Sequence, residues 1–277
     1  MIRSALLSFA LACAAVPLLG QAAPPAQPGA RPVGGTAAAR PPRYVAPTPY
    51  DFNDHTGWQS MFDGSTLKGW EGPPDIWRVE DGAIMTSQTA DHQIGSVYLL
   101  WSGGDLKDFE FKTEIKLEGS GSNSGVQFRA KMLGKTEKPR SEWESFGYQA
   151  DYDYVNEQTG ALIECCSGPR RGPSPRPVKA AMGTMVRETA NSDVPALIGS
   201  TGNPDDLKKS IHTGDWNQLH IIARGNTMMY ILNGRLMSVF IDDNPSRALA
   251  QGRLLLQLEG RGDEKVSYRN IWVKPLQ

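Results

Sequence analysis

Gln149, Asp151 and Asp153 recur at every second position of residues 148–153 (YQADYD). In extended backbone that spacing puts them on one face, with Tyr148, Ala150 and Tyr152 on the other. Residues 254–259 (LLLQLE) repeat the pattern, with Gln257 and Glu259 beside Leu255 on one face and three leucines on the other. Gln127 and Arg129 share a face of residues 125–131, and residues 161–164 (ALIE) end on Glu164. If these strands are neighbours, their polar faces merge into one surface. Amides, carboxylates and a guanidinium side by side suit a polyhydroxylated ligand, which is read by directional hydrogen bonds. Two or more carboxylates on one surface can also do acid/base work. A strand with one solvated face alternates in the same way. Residue type separates the two cases: FEFKTEIKLE at Phe109–Glu118 carries Lys and Glu, whereas the candidate strands carry Gln, Asp and Arg flanked by aromatics.

Other chemistry is thinly represented. The chain has no Gly-x-Ser-x-Gly, no His-Glu-x-x-His and no phosphate-binding glycine loop. Its four histidines are scattered and receive no role. Seven tryptophans are many for this length; most read as core or edge packing, and Trp143 is the preferred surface for stacking on a sugar ring. No cofactor and no metal site is assigned. A structural calcium is the open alternative, because Asp151, Asp153, Asp242 and Asp243 offer hard oxygen ligands. Asp242-Asp243-Asn244-Pro245 reads more simply as a turn.

Composition bounds the partners. The 277 residues hold 29 Lys+Arg and 30 Asp+Glu, a net −1, which argues against a nucleic-acid binder. Charge is also segregated, because residues 1–50 hold four arginines and no acid, leaving 25 basic against 30 acidic residues beyond them. Residues 1–23 read as a signal peptide: a basic Met1-Ile2-Arg3, an apolar run to Leu19 and a small-residue cleavage site, too short for a membrane span. The expected location is periplasmic or secreted, with lipoprotein anchoring through Cys13 as the second reading. Cys165 and Cys166 are adjacent, and a vicinal disulfide stands against two free thiols, the latter slightly preferred.

Residues 24–50, with eight prolines, read as an extended linker. From 51 to 277 the texture is that of one β domain. Period-2 strands are expected at 109–118, 125–131, 218–224, 228–232, 236–241, 253–259 and 265–274, and Asn233-Gly234 is a strong hairpin turn. No long helix-period segment intervenes, so an antiparallel sandwich or jelly roll is expected rather than a parallel βαβ fold. Residues 165–210 break the rhythm and read as an irregular insertion, with a short strand or helix within 178–188.

An ordered set of short motifs then identifies a relative. Residues 58–70 (WQSMFDGSTLKGW), 77–82 (WRVEDG), 123–129 (NSGVQFR), 147–151 (GYQAD), 214–217 (GDWN), 232–234 (LNG), Leu256-Gln257 and 269–271 (RNI) appear in the order found in the 3-keto-disaccharide hydrolase domain family. The resemblance covers nearly the whole domain. It implies an all-β, concanavalin-like jelly-roll sandwich of two antiparallel sheets, a carbohydrate ligand on the concave sheet, and cleavage of glycosides oxidised at carbon 3 by acid/base elimination. It further implies that Asn123 and Arg129 bind or polarise the sugar and that Gln149 and Gln257 belong to the binding face; the acid/base pair is expected to be two of Asp151, Glu164 and Glu259. Many relatives carry His two residues after the late Gln, where this chain has Glu259. That departure shifts the base to a carboxylate, or leaves a carbohydrate-binding module without turnover as the alternative. A displayed partner-binding domain is a third reading.

Overall fold

The computed structural model describes residues 50–135, 141–166, 179–190 and 192–277. The expected signal peptide and almost all of the linker lie outside these residues. In chain order the elements are β1 (Gln59–Ser60), β2 (Trp70–Glu71), β3 (Arg78–Glu80), β4 (Ala83–Gln88), β5 (Val97–Trp101), β6 (Phe109–Glu118), β7 (Asn123–Met132), a 3₁₀ turn (Ser141–Trp143), β8 (Ser145–Asp153), β9 (Leu162–Cys166), β10 (Thr184–Thr189), β11 (Ser192–Ser200), α1 (Pro204–Lys208), β12 (Asn217–Arg224), β13 (Thr227–Leu232), β14 (Arg235–Asp243), β15 (Arg253–Leu258) and β16 (Glu264–Pro275). They form two sheets. The larger runs β11-β10-β14-β13-β12-β6-β16-β4-β3, with β1 on β16; the smaller runs β2-β5-β15-β7-β8-β9. Every named pairing is antiparallel except β10 with β14.

The core lies between the sheets and follows the period of 2. From the larger sheet Phe109, Phe111, Ile115 and Leu117 point inward; from the smaller come Val126, Phe128, Tyr148, Ala150, Leu254, Leu256 and Leu258. Burying each Leu or Phe contributes about 1.5–3 kcal/mol. Phe109 of one sheet meets Phe128 of the other edge-on at 6.0 Å, and Tyr148 meets Phe240 likewise. Consecutive positive φ values at Asn233 and Gly234 (48° and 73°) make the expected tight hairpin between β13 and β14.

Two local expectations are corrected. The stretch 165–210 is partly regular: β10 and β11 form a hairpin that extends the larger sheet. Pro195 lies on an edge strand where the β10–β11 register shifts, the setting in which a strand tolerates proline. Asn203 caps α1, its Oδ1 accepting the Asp205 N–H at 2.8 Å, with Pro204 in the first turn. The density of Pro and Gly hid these elements.

The second correction concerns β6, whose charged face is not wholly solvated. Lys112 is fully buried; its Nζ donates to the Phe52 and Asp54 carbonyls at 2.6 and 2.7 Å and lies 4.3 Å from the Trp58 ring centroid. The segment at 50–58 therefore lies across this face, held by this ammonium group and by stacking of Tyr50 on His220 and of His55 on Trp272. Lys112→Ala is expected to destabilise the domain by about 2–3 kcal/mol, through lost charge-assisted bonds and cation–π contact. Urea unfolding checks this; a change below about 0.5 kcal/mol, the level of an ordinary surface substitution, would contradict it.

Candidate functional site

The smaller sheet turns one face to the core and the other outward. On β8, Gln149, Asp151 and Asp153 take the outer face because Tyr148, Ala150 and Tyr152 are committed to the core. On β15, Leu254, Leu256 and Leu258 fix Leu255 and Gln257 outward in the same way. Register then aligns them. Tyr98, Gln257, Gly125 and Asp151 are directly opposed across β5, β15, β7 and β8. Opposed residues in an antiparallel ladder project to the same face, so these four make one row.

Gly125 leaves that row open at its centre. A Cβ there would lie 2.8 Å from Gln149 Nε2. In the space, Gln149 Nε2 donates to Asp151 Oδ1 at 2.9 Å and to Gln257 Oε1 at 2.8 Å. Gln257 Nε2 donates onward to Glu259 Oε2 at 2.6 Å and to the Tyr98 hydroxyl at 3.0 Å. Two amides thus bridge two carboxylates. Gln127 lies alongside, accepting from the Ser145 hydroxyl and donating to the Cys165 carbonyl at 2.9 Å.

The sheet is bent into a trough. Cys165 of β9 lies 3.9 Å from the Tyr98 hydroxyl of β5, although four strand spacings separate these strands, about 19 Å if flat. Cys165 is disulfide-bonded, which corrects the preference for a free thiol. Its Sγ, 4.0 Å from Gln257 Nε2, covers the amide pair.

Electrostatics single out Asp151. Burial pushes its carboxyl up to about 7; the Gln149 N–H pulls it back, while the charges of Glu259 and Asp153 add to the rise. Gln149, Gln257 and Asp151 are all buried, and Glu259 is the half-buried member. Among the described residues of this face, the buried Gln149 Oε1 and Asn123 Oδ1 have no hydrogen-bond partner. Asn123 shares the outer face of β7 with Gly125 and Gln127. Orphan acceptors beside a carboxylate pair fit the hydroxyl donors of a sugar.

Three expected site residues are placed elsewhere. Arg129 has φ +49° at a bulge that shifts both pairings of β7, so its parity breaks with Gln127. It is 1% exposed and donates to the carbonyls of Lys107, Gly225 and Leu249 and to Asp108 Oδ1. It ties loops together and does not face the trough. Glu164 pairs opposite Tyr148 and takes that core-side parity, while Ile163 and Cys165 take the trough side. Trp143 is half-buried at the sheet edge and lines an open hollow of about 280 Å³ with Trp70, Trp77, Leu99 and Pro73.

Asp153 is on the right face but fully engaged, accepting the Glu157, Gln158 and Thr159 N–H groups and the Thr159 hydroxyl. It closes the turn after β8. The four aspartates considered for calcium do not converge: Asp242 accepts the Tyr148 hydroxyl at 2.5 Å and Asp243 pairs with Arg187. Among the described residues no group of three or more His, Cys, Asp or Glu is placed to hold a metal ion.

Sequence reasoning missed Tyr98, Cys165 and Gly125 as site members. Tyr98 sits in an unbroken apolar run, VYLLW, where no alternation marks it.

A carboxyl raised by folding keeps a proton that the unfolded chain releases. Its stabilising effect is therefore complete below the ordinary value of 3.8 and is lost as pH rises through about 7. Asp151→Asn is expected to flatten this decline, by up to about 1.4 kcal/mol per pH unit between pH 4 and 7, in urea titrations at stepped pH. An unchanged slope would contradict the assignment. Arg129→Lys is expected to lower the melting temperature by several degrees, because the planar fork that ties three backbone carbonyls together is lost; a melting temperature within about one degree of wild type would contradict this.

Comparison with known proteins agrees with the ordered motifs. Residues 57–274 match the family described as the 3-keto-alpha-glucoside-1,2-lyase-like domain. A 3-keto-disaccharide hydrolase from Bacteroides thetaiotaomicron is 31% identical over 96 residues, a match spanning 31% of this chain and 31% of that relative's length. Among solved structures, a glycosyl hydrolase candidate from Parabacteroides distasonis is similar with a TM-score of 0.49 at 17% identity, over 80% of this chain and 95% of that one. A carbohydrate binding module from Bacillus subtilis is similar with a TM-score of 0.45 at 14% identity, over 74% and 95%. These structural likenesses are loose, and the fold rests on the strands and their register.

Proposed function

The chain belongs to the 3-keto-alpha-glucoside-1,2-lyase-like domain family, and from that premise we propose that it cleaves glycosides oxidised to a ketone at carbon 3. The observation that carries the reading is the carboxylate pair Asp151 and Glu259, bridged by Gln149 and Gln257 in the trough.

The ketone acidifies the proton on carbon 2. Glu259, the more open carboxylate, takes that proton, and the electron pair moves through the bond between carbons 2 and 3 onto the ketone oxygen as an enolate. Collapse of the enolate forms the double bond between carbons 1 and 2 and breaks the glycosidic bond at carbon 1. Asp151, held protonated near neutrality by burial, gives its proton to the departing oxygen. Asp151 is then the ionised partner and activates water, which adds to carbon 1, while Glu259 returns its proton to carbon 2. The cycle closes with both groups in their starting states, and the net change is hydrolysis. The acid is poised by removal from water, in the manner of other buried catalytic carboxyls. Gln149 Oε1 and Asn123 Oδ1 accept sugar hydroxyls and orient the ring. The basic start and apolar run within residues 1–23 support a reading in which the chain is exported and meets its substrate outside the cytoplasm.

A 3-keto-glucoside with a chromogenic aglycone tests this. Asp151→Asn and Glu259→Gln are each expected to lower kcat/KM by about 10²–10⁴-fold, whereas Glu164→Gln, on the other face, should stay within about threefold. Wild-type kcat/KM should fall above about pH 7 as Asp151 loses its proton. Sugar binding without turnover would replace this reading with a binding module; absence of both would refute it.

A further inference from the structure

Glu264 opens β16 and is 3% exposed, a carboxyl at the head of the inward series that continues through Val266 and Tyr268. Its contacts reach across to the trough. Oε1 accepts the Asn123 N–H at 2.9 Å, and Oε2 accepts Gln88 Nε2 at 2.8 Å. The Gly260 N–H donates to it as well. Gln88 Nε2 also donates to the Gly260 carbonyl at 2.8 Å, so Gly260 is gripped at both its N–H and its C=O. Immediately before Gly260 stands Glu259, whose own N–H donates to the Asn123 carbonyl at 2.9 Å.

The packing leaves little slack. A Cβ on Gly260 would lie 2.4 Å from Glu264 Oε2, and one on Gly121 would lie 1.8 Å from the Arg261 carbonyl oxygen. The segment bearing Glu259 is thus pressed against the loop bearing Asn123, with Glu264 joining both.

We propose that Glu264 is a positioning residue of the trough: it fixes the main chain at Asn123 and beside Glu259, and so sets where Asn123 Oδ1 and the Glu259 carboxylate meet the sugar. Its part in turnover rests on the acid/base reading above. Among charged groups, Glu259 faces it from the end of β15. Lys265, its neighbour on β16, turns away to Glu80 and Glu118. Burial raises the Glu264 carboxyl to about 7, and the charge of Glu259 adds to the rise, so the two also share a field.

Glu264→Gln keeps the shape but presents an amide NH₂ to a site built from donors. The test compares turnover of a 3-keto-glucoside, its pH profile, and amide hydrogen exchange at Asn123 and Glu259. Expected are a fall in kcat of about 10–100-fold with KM within about threefold, as for loss of an orienting contact. A displaced pH limb and exchange at Glu259 at least about tenfold faster should accompany it. Turnover and pH profile within about twofold of wild type in a folded variant would overturn the proposal. Should Glu264→Gln fail to fold, Gln88→Ala releases one side of the grip and carries the same expectations. If wild type turns over no keto-glycoside, the reaction assigned above fails on its own. Exchange then decides positioning alone, and unchanged protection at Glu259 would overturn it.

Discussion

Everything in the trough hangs on one forked hydrogen bond. The Gln149 amide divides its two N–H groups between Asp151 and Gln257, and this is possible only because Gly125, between them in the register, has no side chain. Gln257 repeats the fork toward Glu259 and Tyr98. Each amide can face only one way, since its donors are spoken for, and that fixes which lone pairs remain. The outcome is an acceptor-rich floor with Gln149 Oε1 unoccupied. A one-residue slip of β8 against β7 would send Gln149 and Asp151 into the core and break the chain.

The sandwich supplies the conditions under which that chain matters. Leucines and aromatics on the inner face pin register, because misplacing several buried side chains costs several kcal/mol. Curvature brings β9 over the row, and the covered floor is poorly hydrated. Poor hydration is the largest cause of the raised Asp151 carboxyl, with Glu259 contributing from the more open side. A proton near neutrality therefore follows from sheet geometry rather than from a special residue.

Much of this was legible in the sequence, and the failures have definite causes. Strict alternation around Gln149, Asp151 and Gln257 placed them correctly, because apolar partners on the opposite face leave no choice. Arg129 was misplaced because a positive-φ bulge resets parity, and nothing in GVQFRAK announces a bulge at a non-glycine residue. Glu164 was misplaced because a four-residue strand ending in a carboxylate does not reveal which face is inward; pairing with Tyr148 decides it. Lys112 looked solvated because the segment that covers it lies more than fifty residues earlier. Glu264 had a readable signal, a carboxylate in phase with Val266 and Tyr268.

The most direct measurement of the central claim is a carboxyl-carbon NMR titration of the folded domain, following Asp151 in wild type and in Glu259→Gln. Asp151 is expected to titrate near 7 and to move downward when the Glu259 charge is removed. Titration of Asp151 near 3.8 in wild type, or no response to Glu259→Gln, would contradict a coupled acid/base pair at this site.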